Sequence, residues 1–172
     1  GTEPRLAQQV ECLVIAGASN PDLLNERCGV AGVRCVNIDL PGSGAPSVVS
    51  DNRGGAKRLT NIMLEKLMAR GADATDLFFF GGVADDDATR NRVLGFNDAL
   101  AAHGLLAGPQ MIDCCGYQPS NAARTQANRY AQLGRLPVGL FVQGFTALGG
   151  MLRFTSPCSS NGLQSVWVGC FF

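Results

Sequence analysis

The sequence predicts an α/β fold built on a mainly parallel sheet with helices on both faces. Along the 172 residues, short apolar runs alternate with longer stretches whose apolar residues recur at helical spacing. The apolar runs are continuous rather than alternating, which is typical of strands covered on both faces. Their order, β-α-β-loop-α-β-α-β-α-β-α-β, joins strands through helices and therefore predicts parallel neighbours.

Six apolar runs predict the strands, and four periodic stretches predict helices with identifiable ends. The strands are expected at 12–17, 34–40, 76–82, 109–115, 138–144 and 165–172. The helices are expected at 53–70, 86–102, 120–133 and 145–155. Asp51 or Asn52 suits the start of the first of these helices, and Gly71 suits its end. The second begins with the acidic turn Asp85–Asp87, which the helix dipole favours, and Gly104 ends it.

Composition and charge narrow the classes of function. Lys+Arg and Asp+Glu are both 14, with no basic run, so this chain alone is not expected to bind DNA tightly.

Seven cysteines are an odd number without a C-x-x-C pair. Cys12, Cys35, Cys114 and Cys170 lie in apolar runs, which predicts buried thiols in a reducing cytoplasm. No apolar run is long enough to span a bilayer, and the first ten residues lack a signal-peptide pattern. Because residue 1 begins abruptly, a signal removed upstream is an alternative.

The carboxyl ends of the predicted strands carry the candidate binding residues. In open parallel sheets, ligands sit beyond these ends. Ser19, Asp39, Tyr117 and Gln143 offer hydrogen bonds and an aromatic face there, and neighbouring glycines let a ligand approach the backbone. This set suits a polyhydroxylated small molecule. The alternative is that Asp39 caps a turn and Tyr117 packs at the rim.

Several features count against an enzyme, a cofactor or a metal site. The single histidine, His103, lies at a helix end away from the strand ends, so a Ser-His or Cys-His pair is not expected. Neither a P-loop nor the G-x-G-x-x-G spacing is present. The consecutive carboxylates of Asp85–Asp87 cannot all face one ion. Arg90 and Arg92 point in different directions on a helix, so one can serve as a fork for a hydroxyl or an anion while the other braces a neighbouring segment. Two solvated arginines are the alternative.

Two passages carry a resemblance to a known family. "VNIDLPGSGAPSVVSDNRGGAKRLTNIML" (36–64) and "LFFFGGVADDDATRNRVLGFNDALAAHGL" (77–105) resemble the effector-binding domain of LacI-type bacterial transcription regulators, over about residues 11 to 106. The passage "GYQPSNAARTQANRYAQLGRLPVGLFVQGFTALGGML" (116–152) is most similar to the fructose-repressor branch, which answers to sugar phosphates.

The resemblance implies a two-lobe, periplasmic-binding-protein-like domain, each lobe Rossmann-like, with "LPGSGAPSVVSDN" at the hinge crossing. It implies that residues 1–46 form part of the first lobe and that 47–172 form most of the second. The DNA-binding headpiece is expected to be absent, and the domain is expected to be an incomplete fragment, since "RFTSPCSSNGLQSVWVGCFF" matches the family poorly.

The resemblance also implies roles for particular residues. Asp39 matches the family's cleft aspartate, Arg90 an arginine that contacts sugar hydroxyls, and Tyr117 an aromatic residue that packs on the ligand. The strand near 143 ends in Asn-Asp in most of the family. Here it reads Gln143-Gly144-Phe145, a departure that weakens the transfer of a plain-sugar site, and Gln143 and Phe145 are the effector-binding candidates at this strand end.

The function implied is effector sensing by a homodimeric DNA-binding regulator. A sugar or sugar phosphate would shift the population between open and closed states and so modulate operator binding through the missing headpiece. Three alternatives stay open: a sugar-binding protein of a transport system, an α/β sugar-phosphate enzyme using Asp39 and Arg90, and a fragment that binds nothing.

Overall fold

The computed structural model describes residues 10–18, 20–41, 44–145, 147–150, 152 and 167–171. The chain divides into two compact units, Gly1–Asp51 and Asn52–Phe172. This boundary lies a few residues after the predicted one at 46/47, because Ser47–Val48 pairs with the sheet of the first unit. The identity of the units with the two lobes of the family stays a prediction.

The described residues of the first unit form a three-stranded parallel sheet and one helix. Its elements are β1 (Cys12–Ala16), α1 (Pro21–Val30), β2 (Arg34–Ile38) and β3 (Ser47–Val48). The strand order is β1-β2-β3. Asn20 starts the helix, since its side-chain oxygen accepts a hydrogen bond from the backbone N–H of Leu23 at 3.1 Å.

The described strands of the second unit form a four-stranded parallel sheet in the order β5-β4-β6-β7. Its elements are α2 (Asn52–Met68), β4 (Leu77–Gly81), α3 (Asp87–Ala102), β5 (Ile112–Asp113), α4 (Pro119–Leu133), β6 (Gly139–Gln143) and β7 (Trp167–Phe171). The predicted α/β class is confirmed. The central strands β4 and β6 are buried along their whole length, as their continuous apolar sequence predicts.

Two segments differ from the predicted elements, and one predicted helix is described only in part. The strand expected at 109–115 is only two residues long, because Pro109–Met111 forms a 3-10 turn and the Gln110 carbonyl accepts a short hydrogen bond from Arg129 instead of a strand partner. The short strand β3 was expected to be loop. Of the helix expected at 145–155, residues 145, 147–150 and 152 are helical, and the others lie outside the described residues.

An aromatic cluster holds α3 against the sheet. The rings of Phe79 and Phe141 stack with centroids 5.0 Å apart, and Phe96 of α3 packs edge-on to both at 5.8 and 6.1 Å. Gly95 lets α2 approach α3, since a Cβ there would come within 2.1 Å of the Arg53 carbonyl oxygen. These contacts set the rotation of α3 about its axis and therefore decide which side chains of its first turns face the sheet.

The expected burial of the four cysteines in apolar runs is wrong for Cys12 and Cys114 and only partial for Cys35 and Cys170. Cys28 is buried and Cys35 and Cys170 are half-buried, whereas Cys12 and Cys114 are exposed. Cys12 lies on a strand with a single neighbour among the described strands, and Cys114 follows the end of the short strand β5. Cys158 lies outside the described residues. No helix in the described part of the chain is long and apolar enough to cross a membrane.

Candidate functional site at the strand ends of the second unit

The carboxyl ends of β4, β5 and β6 meet at one edge of the second sheet. Two glycines make this edge compact: Gly81 and Gly82 both have positive φ, 119° and 72°. The Gly82 carbonyl accepts a hydrogen bond from the Gly116 N–H at 2.7 Å, which joins the loops after β4 and β5. A Cβ at Gly82 would lie 2.3 Å from Thr89 Oγ1 and 2.7 Å from Gln143 Oε1, so only glycine fits beneath these two side chains.

Four polar side chains bond to one another above this glycine pair, and we call them the strand-end network: Asp86, Thr89, Tyr117 and Gln143. Gln143 donates through Nε2 to Thr89 Oγ1 at 2.9 Å and to the Tyr117 hydroxyl at 3.2 Å. Tyr117 donates a short hydrogen bond to Asp86 Oδ2, and Thr89 donates to the same oxygen at 3.0 Å. The network therefore ties together residues that follow or end three different strands.

Asp86 is also the N-cap of α3, because its Oδ1 accepts the Ala88 N–H at 3.2 Å. Partial burial acts to raise the pKa of its carboxyl. The hydrogen bonds that it accepts from Tyr117, Thr89 and Ala88, and the nearby charge of Arg92, outweigh that effect and lower the pKa. Asp86 is thus an ionised acceptor at neutral pH.

Tyr117 is the matching donor. Burial first, and then its hydrogen bond to Asp86, raise the pKa of the phenol above its usual value. The hydroxyl therefore keeps its proton at neutral pH and donates it to the carboxylate. The residue is still 43% exposed, so its ring is accessible at the edge of the sheet.

Gln143 is fully buried at the end of β6, and its Oε1 has no hydrogen-bond partner among the described residues. An unpaired buried acceptor costs about 1–3 kcal/mol. Such a group is therefore available to a donor that comes from outside the described chain.

The two arginines of α3 have different surroundings. Arg90 turns back onto its own first turn, donating to the Asp85 carbonyl at 3.0 Å and to Asp87 Oδ1 at 3.1 Å, with 57% of its side chain exposed. Arg92 donates to Asn52 Oδ1 at 2.8 Å, and its charge acts on Asp86 and Tyr117. Arg92, rather than Arg90, is the arginine beside the strand-end network.

Asp39, Phe145 and Ser19 are further predicted site residues that are not among the four bonded side chains of the network. Asp39 belongs to the first unit, where it has a φ of +50° and accepts hydrogen bonds from the Ser50 N–H at 2.7 Å and the Ser50 hydroxyl at 3.2 Å. These hydrogen bonds are what the alternative interpretation, that Asp39 caps a turn, would require. Phe145 is 72% exposed, and Ser19 lies outside the described residues. Tyr117 and Gln143 are the two predicted residues that the structure brings together.

Sequence reasoning missed Asp86 and Thr89 as members of the network. A signal for them existed, because positions 86, 89 and 92–93 recur at helical spacing on the same face as the buried Phe96. In the part of the chain that the structure describes, no group of three His, Cys, Asp or Glu side chains could hold a metal ion.

Curated relatives of this chain are operon repressors. It is 49% identical over 77 residues to the ribitol operon repressor of Klebsiella aerogenes, covering 45% of this chain and 28% of that protein. It is 28% identical over 155 residues to the sucrose operon repressor of Klebsiella pneumoniae, covering 88% of this chain and 44% of that protein. No protein-family model matches the sequence.

Solved structures with this fold include regulators and a transport protein. A LacI family transcriptional regulator from Enterococcus faecium with bound ribose has a TM-score of 0.70 at 16% identity, over 96% of this chain and 60% of that one. The Cra regulator of Pseudomonas putida in complex with fructose 1-phosphate has a TM-score of 0.72 at 20% identity, over 98% and 62%. The chain is similar to LacI-type regulators in sequence and in fold.

The LacI-type likeness confirms the predicted resemblance and covers only part of those proteins. The chain spans 28% and 44% of the lengths of the two curated relatives. The substrate-binding protein of a sugar ABC transport system from Bordetella parapertussis shares the fold with a TM-score of 0.70 at 15% identity, over 98% of this chain and 53% of that one. The fructose-repressor branch stays a prediction.

Proposed function

We propose that this chain forms part of the effector-sensing domain of a LacI-type DNA-binding transcription regulator. A sugar, sugar phosphate or polyol would bind at the strand-end network of the second unit. The observation that carries the proposal is this network, Asp86, Thr89, Tyr117 and Gln143, at the carboxyl edge of a parallel sheet, where such sheets bind ligands. The likeness to ribitol and sucrose operon repressors supports the same class of function.

The chemistry of the network suits a hydroxyl-rich ligand. Asp86 and the Oε1 atom of Gln143 accept hydrogen bonds, and the latter has no partner within the described chain. Tyr117 presents a partly exposed ring, against which the apolar face of a sugar or polyol can pack. The proposed role is binding rather than catalysis, without a cofactor, and the names of the repressor relatives support that.

The proposed mechanism is a population shift. In the structure the four side chains bond to one another and so connect the ends of β4, β5 and β6. A ligand that takes over some of these hydrogen bonds would favour a state in which the connecting loops are rearranged. Coupling of this kind is typically worth about 1–3 kcal/mol. Operator DNA would be contacted by a separate amino-terminal headpiece of a cytoplasmic homodimer.

The test is a calorimetric titration of the full-length protein with ribitol, sucrose, fructose and fructose 1-phosphate. Micromolar binding of one of them, worth about 8 kcal/mol, is expected. Gln143→Leu should weaken that binding at least tenfold. Gln126→Leu is the matched control, since Gln126 is also a fully buried glutamine whose amide lacks described partners but lies in α4, outside the network. Equal loss in both variants, or no binding of any compound, would contradict the proposal.

A sugar-binding protein of a transport system is the second candidate. The fold likeness to the Bordetella parapertussis protein supports it. The two roles separate in one further assay, in which the full-length protein is incubated with DNA from its own promoter region. Ligand-sensitive retardation of that DNA supports the regulator. Ligand binding without any DNA binding supports the transport protein.

A further inference from the structure

We propose that Asp86 makes the strand-end network select an uncharged polyhydroxylated ligand over its phosphate ester. This inference rests on the proposed function, because it names the class of effector for the same site. It also runs against the sugar phosphate that the fructose-repressor resemblance implies.

The N-terminus of α3, where a phosphate would be expected to bind, already carries a carboxylate. A helix N-terminus at the edge of a parallel sheet attracts anions through its free N–H groups and its dipole. Here Asp86 fills that position on α3 with its own carboxylate, which accepts the Ala88 N–H at 3.2 Å. A phosphate arriving at this helix would meet a fixed negative charge and would find the Ala88 N–H already bonded.

The charged side chains between β4 and the first turns of α3 also disfavour a phosphate. The turn from β4 into α3 carries three consecutive carboxylates, Asp85–Asp87. The first turns of α3 supply two guanidinium groups, and one of these, Arg90, is paired with Asp87 at 3.1 Å. Arg92 acts on Asp86 while donating to Asn52 at 2.8 Å. This segment therefore has an excess of negative charge, which repels a phosphate dianion.

The hydrogen-bonding groups of the network match the hydroxyl groups of a polyol better than the oxygens of a phosphate. Two groups in the network can accept a further hydrogen bond: the carboxylate of Asp86 and the buried Oε1 of Gln143, which has no partner among the described residues. The oxygens of a phosphate dianion are also acceptors and cannot satisfy them. A hydroxyl group donates one hydrogen bond and accepts others, so a polyol can satisfy Gln143 and replace the Tyr117 hydroxyl at Asp86.

The experiment uses ligand pairs that differ only by the phosphate. Calorimetric titrations of the full-length protein are carried out with ribitol against ribitol 5-phosphate and with fructose against fructose 1-phosphate. In the pair for which binding is detected, we expect the uncharged compound to bind at least tenfold more tightly than its phosphate ester, a difference of about 1.4 kcal/mol. The ratio should fall at least threefold in Asp86→Asn, which can still cap α3 but no longer carries the charge.

The control variant is Asp85→Asn. Asp85 is exposed and directly precedes Asp86, so this substitution removes one negative charge beside the network and leaves the carboxylate of Asp86 in place. Its ratio should stay close to that of the native protein. A tighter phosphate ester in the native protein overturns the inference and leaves the proposed function intact. An equal change in both variants overturns the role of Asp86, because only net charge would then matter. Binding of no compound overturns the proposed function, and the inference with it.

If Asp86→Asn fails to fold, the affinities of the native protein for each uncharged compound and its phosphate ester still test the selectivity. The role of Asp86 is then tested with Tyr117→Phe, which keeps the carboxylate but removes the hydroxyl that covers it. With the carboxylate more open, the preference for the uncharged ligand should be retained or increased. A preference that reverses in this variant would overturn the assignment to Asp86.

Discussion

The two units of the chain contain sheets of the same kind but bury them to different extents. In the second unit, β4 and β6 are buried at every residue. In the first unit, Val14, Ile38 and Val48 lie on one face of the sheet and are 61, 43 and 65% exposed. Parallel sheets are normally covered on both faces. The second unit therefore contains its own core, whereas the described part of the first unit covers one face of its sheet.

The largest expected effect is on the aromatic core of the second unit. Phe141→Ala removes a fully buried ring that stacks on Phe79, and should lower the free energy of unfolding by about 3–5 kcal/mol. Val14→Ala in the first unit is the control and should cost under about 1 kcal/mol, because that side chain is largely exposed. Urea denaturation measures both. Similar losses in the two variants would break the comparison between the units.

A glycine in each unit gives the next largest difference. Gly95→Ala forces a Cβ against the Arg53 carbonyl between α2 and α3, and should destabilise the protein by about 1–3 kcal/mol. Gly29→Ala lies in α1 with nothing within 4 Å of the new Cβ, and should be neutral or stabilise by about 0.4–1 kcal/mol. Thermal unfolding compares the two variants. A stable Gly95→Ala protein would mean that the packing of α2 on α3 is looser than described.

The polar edge of the second unit should show a pH-dependent effect of about 1 kcal/mol. Asp86→Ala removes the N-cap of α3 and the partner of Tyr117. The folded-state pKa of Asp86 lies below its unfolded value, so its stabilisation is present above about pH 4 and is lost as the pH falls through the folded pKa. Denaturation of the native and variant proteins at pH 7 and near pH 2.5 measures this difference. It should shrink at the lower pH, and a constant difference would contradict the role of the charge.

The smallest effect is expected on the exposed face of the first unit. Val48→Thr keeps the β-branched shape and should change stability by less than about 0.5 kcal/mol. The same substitution at Val142, which is fully buried in β6, should cost about 1–3 kcal/mol because it buries a hydroxyl group. Denaturation midpoints of the two variants test the pair. A large loss at Val48 would mean that this face is covered in solution.

Much of the fold was predictable because its signals are local. The apolar runs that become β4 and β6, and the acidic turn that begins α3, appear in consecutive residues. Where the local signal was overridden, a distant residue was responsible. The strand expected at 109–115 is short partly because Arg129, from α4, takes the carbonyl of Gln110.

The candidate site was only half predictable. Tyr117 and Gln143 could be selected because the carboxyl ends of parallel strands share one edge of a sheet. Asp86 and Thr89 were missed, since a capping residue and the first turn of a helix gave no sign of their partners. Arg90 was preferred on resemblance, whereas Arg92 lies beside the network.

The sequence by itself determined the order of strands and helices, their approximate ends and the edge at which polar side chains gather, because these depend on neighbouring residues. Only the tertiary structure decided which side chains the buried face of α3 meets. The packing of Phe96 against the rings of β4 and β6 and of Gly95 against α2 fixes those contacts. It brings Asp86 to Tyr117 across 31 positions of the chain, a pairing that no local pattern encodes.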